Sequence, residues 1–254
     1  MATSAQEQTV VSLPGMRRRV PTRLRSGDTL TPSEGASTRG GALRCANPGF
    51  EWRGEDLVAN EVHVHKRAAL LHRGAPFTAL YIVRSGSCKS TNTTPDGHEQ
   101  IAAFHIAGEI IGVESIGDGA YGATITALEN SEFHVMPYDR VRALAQENDD
   151  FQRTLCATLS REIRRGRTLA LWLATMRAEQ RLASFLLDLA DRYGARGHSS
   201  REFVLPMSRQ DIGVHLGLSH ETVSRLLSNF HRQSLLSVQG RLLTIVDQEA
   251  LQAL

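Results

Sequence analysis

The stretch "SRQDIGVHLGLSHETVSRLL", beginning at position 208, is the most restrictive part of this 254-residue chain. Counted from Arg209, a helix-turn-helix needs apolar residues at positions 4, 8, 10, 15 and 18, and the chain supplies Ile212, Leu216, Leu218, Val223 and Leu226. The two helices cross closely at position 5, where Gly213 is the small residue required. Position 9 must tolerate a positive φ in the tight turn, and Gly217 stands there. The spacing predicts a first helix capped by Ser208, with Asp211 completing a capping box, and a second helix (219–233) capped by Ser219.

At about 100° per residue, Glu221, Ser224, Arg225 and Ser228 share one arc of that second helix. Val223, Leu226, Leu227 and Phe230 share the opposite arc. A helix with an apolar back and a hydrogen-bonding front fits a groove. Arginine can donate two parallel hydrogen bonds to guanine O6 and N7, and a carboxylate can accept from cytosine N4. Glu221 and Arg225 lie one turn apart, so the carboxylate is also placed to brace the guanidinium. Thr222 and the start of the first helix (Ser208, Arg209, Gln210) are placed for phosphate contacts, which position without specifying. Downstream, "LLSVQGRLLTIV" reads as two alternating strands joined at Gln239-Gly240, a hairpin wing with Arg241 at its tip as a further phosphate contact. Upstream, "REFVLPM" is strand-like. Together these make a winged helix-turn-helix.

The bulk numbers permit this reading without demanding it. A net charge of +2 is only mildly basic, and local charge counts for more than the total. No apolar run reaches the ~18 residues of a membrane span. The three cysteines, Cys45, Cys88 and Cys156, are an odd number with no CxxC, which favours a reducing cytoplasm over a disulfide framework. Residues 1–48 are rich in Ser, Thr, Gly, Pro and Arg, including Arg17, Arg18, Arg19, Arg23 and Arg25, and read as a disordered arm.

Residues 49–147 have another texture. "VHVHK", "ALYIVRSGSCKS", "EQIAAFHIAGEIIG" and "ATITALENSEFHVM" have strand length, and Gly74, Gly86, Gly97, Gly108 and Gly112 punctuate them. Such spacing predicts a β-roll, barrel or sandwich, with "TPDGHE" as a hairpin tip. Over 148–174, Asn148-Asp149-Asp150 can start a helix in which Phe151, Leu155, Leu159, Ile163 and Leu173 recur at three- and four-residue steps. A helix of about seven turns with one apolar stripe asks for a partner, and its own copy in a dimer is the simplest one. A further helix is expected from Thr175, as N-cap, to Gly194, inside a C-terminal domain of 175–254.

From about residue 56 onward the sequence resembles the Crp–Fnr family of bacterial transcription regulators, its Fnr branch in particular. The stretches that carry the resemblance are "ALYIVRSGSCKS", "GHEQIAAFHIAGEIIGVESIG", "AEQRLASFLLDLADRYG", the helix-turn-helix and the wing. The resemblance implies an α+β architecture: a cyclic-nucleotide-binding-type β-roll, a long dimerisation helix and a C-terminal winged helix-turn-helix. It implies a homodimer acting on double-stranded DNA and RNA polymerase, as activator or repressor according to promoter position. Glu221, Ser224 and Arg225 match the Fnr branch's Glu-x-x-Ser-Arg signature, which implies a palindrome close to TTGAT-N4-ATCAA. His220, a further base-readout candidate, occupies a place that varies between branches.

The departures from the family pattern concern the signal. Oxygen-sensing members hold an iron–sulfur cluster on four cysteines, and this chain has three, so a four-thiolate cluster within one subunit is arithmetically impossible. His134 stands where those sensors carry their internal ligand. The cyclic-AMP branch follows its Gly-Glu loop with an Arg-Ser pair; here Gly108-Glu109 is present, but "GDGAYGATITA" contains no arginine. No metal site or other cofactor is expected. Haem is the alternative to that expectation, with His63, His65, His72, His98, His105 and His134 as possible ligands. No Ser/His/Asp set, metal-spaced cluster or phosphate-cradling loop suggests an enzyme.

Overall fold

The computed structural model describes residues 43–44, 51–52, 57–94 and 96–254. Cys45, the arginines of the N-terminal arm and the remainder of residues 1–48 apart from 43–44 lie outside the described residues. Strands β1 (Leu43–Arg44) and β2 (Glu51–Trp52) form a short antiparallel pair.

Eight strands then build two antiparallel sheets. They are β3 (Asn60–Val64), β4 (Ala69–Leu71), β5 (Ala79–Ser85), β6 (Ser87–Thr93), β7 (Glu99–Ile106), β8 (Ile110–Ile111), β9 (Thr124–Ala127) and β10 (Ser131–Pro137). One sheet has the order β3-β10-β5-β8 and the other β4-β9-β6-β7. Of the alternatives the strand spacing left open, this is the roll. The five punctuating glycines all have φ between 82° and 91°. Gly86, between β5 and β6, shows why: a Cβ there would lie 2.3 Å from Ser131 Oγ and 2.8 Å from the Asn130 carbonyl, so both backbone conformation and space demand glycine. Val83, Cys88, Ile125 and Phe133 meet between the sheets.

Strand β7 carries a bulge. Ser90 pairs with Ala103 but Thr91 pairs with Ile101, which leaves Ala102 extra. The extra residue inverts the alternation, so Ile101, Phe104 and Ile106 share one face although they do not share parity. All three leave the roll's own core and join that of the C-terminal segment.

Helix α1 (Tyr138–Glu147) leads to the 27-residue α2 (Asp149–Thr175), whose N-cap Asn148 accepts a hydrogen bond from the Phe151 amide. The expected single stripe on α2 divides in two. Phe151 is 2% exposed and, with Leu155 and Leu159, packs on the roll and α1. Ile163, Leu171 and Leu173 are exposed instead. The break before α3 (Ala178–Gly194) corrects the expected cap. Thr175 is the last residue of α2 and its hydroxyl donates to the Leu171 carbonyl, a back-bond open to threonine inside a helix. Met176 and Arg177 are extended, and the Gln180 side chain accepts from the Arg177 amide.

The C-terminal elements are β11 (Glu202–Val204), α4 (Arg209–Leu216), α5 (His220–Arg232), β12 (Leu236–Gln239), β13 (Leu242–Ile245) and α6 (Gln248–Gln252). The strands form one antiparallel sheet in the order β11-β13-β12, with Gly240-Arg241 as the turn of the wing. Among the described residues, no helix is long and apolar enough to cross a membrane.

Candidate nucleic-acid interface

The helix-turn-helix forms residue by residue where its spacing put it. Ser208 Oγ accepts from the Asp211 amide at 3.0 Å while the Ser208 amide donates to Asp211 Oδ2 at 3.0 Å, closing the capping box of α4. A Cβ on Gly213 would stand 2.6 Å from the Leu218 carbonyl oxygen, so the helices could not cross this closely with any larger residue. Gly217 makes the turn with φ 62° and ψ 42°. Ser219 then caps α5 by accepting from the Thr222 amide. Sequence reasoning missed a clamp on this turn: Arg181 of α3 donates to the Leu216 carbonyl at 2.7 Å.

Helix α5 buries Val223, Leu226, Leu227 and Phe230 against α3 and the wing. His220, Glu221, Arg225 and Ser228 are exposed, and Thr222 and Ser224 are half-buried. No ion pair joins Glu221 to Arg225 among the described residues. Glu221 is held by its own amide and by the Ser219 hydroxyl, which keep its carboxyl below the usual range. The Ser224 hydroxyl is shielded from solvent and has no hydrogen-bond partner among the described residues. Ser208, Arg209 and Gln210 are exposed at the start of α4. Arg241 is tied down in part, donating to the Pro206 carbonyl at 2.7 Å.

The roll reaches this unit directly, which the sequence did not announce. Lys89 of β6 pairs with Asp211 at 2.6 Å, and Gln100 donates to the His215 carbonyl at 3.3 Å. The buried His215 ring bonds the Ile101 carbonyl at 2.9 Å and lies edge-on between Phe104 and Phe185. Burial pulls its pKa down.

Behind this seam is a cavity of about 780 Å3 lined by β7, α2 and α3 residues, among them His105, Arg165, Trp172 and Arg192. Glu109 lies beside it, and its carboxylate accepts from Arg165, Arg192 and Arg196 at 2.6–3.0 Å. Burial alone would raise its pKa, but the charges of Arg192, Arg165 and Arg196 prevail and hold it well below the carboxylate range. His105 is buried with Nε2 bonded to Ser90 Oγ at 2.7 Å, and burial lowers its pKa to about 4. His63, His65, His72 and His98 are exposed, and His134 on β10 is half-buried with Nδ1 3.5 Å from Glu61. Cys88 is buried, with its thiol pushed up by burial, while Cys156 is exposed on α2. Among the described residues, no three His, Cys, Asp or Glu side chains converge as a metal site.

Residues 61–148 match the cyclic nucleotide-binding domain and residues 180–254 the Crp-like helix-turn-helix domain. The chain is 36% identical over 200 residues to the fumarate and nitrate reduction regulatory protein of Salmonella typhimurium, covering 79% of this chain and 80% of that one. It is 37% identical over 197 residues to the protein of that name from Yersinia pestis, covering 78% and 79% respectively. The structure of FixK2 from Bradyrhizobium japonicum superposes with a TM-score of 0.71 at 32% identity, over 78% of this chain and 98% of that one. A CooA mutant from Carboxydothermus hydrogenoformans shares the fold, with a TM-score of 0.62 at 22% identity over 76% of this chain and 86% of that one. Their likeness runs through both the roll and the helix-turn-helix, and it makes this chain a member of the Crp/Fnr family, a DNA-binding transcription regulator and not an enzyme.

Proposed function

We propose that the chain works as a homodimer that sets one α5 into each of two successive major grooves and reads a palindrome close to TTGAT-N4-ATCAA. Glu221, Ser224, Arg225 and His220 meet base edges, and Ser208, Arg209, Gln210, Thr222 and Arg241 meet phosphates. The observation that carries this reading is the division of α5, with four apolar side chains inside and His220, Glu221, Arg225 and Ser228 turned outward. Arg225 supplies the paired donors that guanine accepts, and Glu221 the acceptor that cytosine N4 requires. The Ser224 hydroxyl, shielded and without a partner among the described residues, has to turn outward to take a hydrogen bond from DNA.

Helix α2 supports the dimer. Ile163 and Leu173 are exposed with Gly166 and Ala170 between them, the three- and four-residue rhythm of a helix–helix seam. Pairing there places two recognition helices about one DNA turn, ~34 Å, apart. The partners in this reading are double-stranded DNA, a second copy and RNA polymerase, in the cytoplasm.

Neither cyclic AMP nor a four-thiolate cluster fits the side chains present. Glu109 is already taken by three guanidiniums, and residues 117–127 offer a cyclic phosphate no arginine. A four-thiolate cluster needs one cysteine more than this chain contains. Binding-site selection on the purified protein, with its absorption spectrum recorded alongside, tests the whole reading. Paired half-sites and a spectrum free of visible bands are expected. Selected sequences without a dyad overturn the readout, and a Soret or iron–sulfur band overturns the account of the signal.

A further inference from the structure

Glu109 sits in the short connection between β7 and β8, and its side chain is 3% exposed. Among the described residues, its carboxylate accepts five hydrogen bonds. The Ile106 amide donates at 3.1 Å, Arg192 through Nε at 3.0 Å and Nη2 at 2.6 Å, Arg165 at 2.9 Å and Arg196 at 2.8 Å. The three arginines come from different places: Arg165 from α2, Arg192 from the last turn of α3, and Arg196 from the loop after it. Arg192 also donates to the Phe104 carbonyl at 2.6 Å, adding the bulged strand β7 to the knot. Glu162 and Asp188 pair with Arg165 and Arg192, adding two further carboxylates to the knot.

The consequence lies in what α3 carries. Its inner face, Leu182, Phe185, Leu186 and Leu189, shares one core with Val223, Leu227 and Phe230 of α5. Its Arg181 clamps the helix-turn-helix turn. A displacement of α3 against α2 therefore displaces α5 against the dimer seam. Hydrophobic contacts resist such sliding weakly because they are not directional. A doubly hydrogen-bonded guanidinium–carboxylate pair fixes both distance and angle.

We propose that Glu109 is a positioning residue for DNA recognition: its carboxylate locks α2 and α3 to the roll and thereby sets the separation of the two recognition helices. This rests on the dimeric reading above. Removing the carboxylate leaves its three arginines facing one another without the charge that joins them.

The test uses the full chain and duplexes in which the two half-sites are separated by two to six base pairs. The wild type is expected to prefer one separation sharply. Glu109→Gln is expected to lower affinity at that separation at least about tenfold, to change affinity for scrambled DNA less than about threefold, and to flatten the separation profile. Glu109→Asp, which keeps the charge, is expected to restore part of the profile. A Glu109→Gln protein with the wild-type profile overturns the proposal. Should that variant fail to fold, Arg165→Met, which removes the most exposed of the three arginines, is expected to flatten the profile in part. An unchanged profile there overturns the proposal equally. A wild type indifferent to both sequence and separation overturns the dimeric reading and this inference with it, whereas a selective wild type with unaltered variants overturns this inference alone.

Discussion

Gly213 and Arg225 are twelve positions apart and serve one helix in opposite ways, the first by being small and the second by being free to reach out. A methyl group on Gly213 meets the Leu218 carbonyl at 2.6 Å, and a backbone oxygen in a turn has little room to yield. Gly213→Ala is therefore expected to cost about 1–3 kcal/mol, read as a lower Tm, with DNA affinity falling because the turn opens. Arg225 is exposed and contributes little to folding. Arg225→Ala should leave the Tm within about a degree of wild type. It should still lose about 1–3 kcal/mol of discrimination at one base pair in each half-site. Arg241→Ala offers the contrast. Its loss should weaken specific and scrambled DNA alike and reduce the salt slope by about one. Titration of each variant against both duplexes at two salt concentrations separates the cases; equal losses on both duplexes for Arg225→Ala would sink its assignment to base readout.

The two halves of α2 show how far periodicity alone carries at the level of an element. The helix was legible, with its start at Asn148 and its length of about seven turns, because caps and apolar steps are local signals. Its single stripe was not divisible from sequence, since Phe151 and Ile163 look alike until the roll is placed against one and not the other. The same limit hid the Thr175 back-bond, because threonine suits a cap and a last helical turn equally well. The helix-turn-helix was readable to the residue, as its caps and glycines leave few alternatives. Division of α2 makes two substitutions distinguishable. Phe151→Ala removes a side chain buried in its own subunit and is expected to cost about 3–5 kcal/mol of stability. Ile163→Asp adds a charge where the subunit alone leaves the residue 56% exposed. It should leave the monomer folded and lower the mass seen in sedimentation from dimer to monomer. A stable Ile163→Asp dimer would show that another surface joins the subunits.

At the scale of the whole molecule, the roll and the DNA-binding unit meet around His105, His215 and Glu109, which resist protonation in the folded state. The pKa of Glu162, in the same knot, is raised by burial, and this group titrates with the opposite sign. Neither the bulge at Ala102 nor the knot at Glu109 was visible in the sequence, because both depend on partners 55 or more residues away or on an unseen strand register. Yet they decide how the seam responds to pH. His105 is buried and neutral, its pKa lowered from 6.5 to about 4. Between those values the unfolded chain binds a proton that the folded chain refuses, so the stability this residue contributes is present above pH 6.5 and drains away as pH falls toward 4. The shift bounds the loss at about 3 kcal/mol. His215 titrates with the same sign, and the depressed Glu109 adds a further loss below the ordinary carboxylate range. Urea unfolding of the full chain at intervals from pH 7 to 4 should show stability declining throughout. In His105→Gln, which keeps a hydrogen-bonding group beside Ser90, the decline should be shallower by up to the same ~3 kcal/mol, even if the variant is less stable at pH 7. Parallel curves for the two proteins would mean that His105 takes up its proton without disturbing the fold. The acid sensitivity between pH 7 and 4 would then lie chiefly with His215.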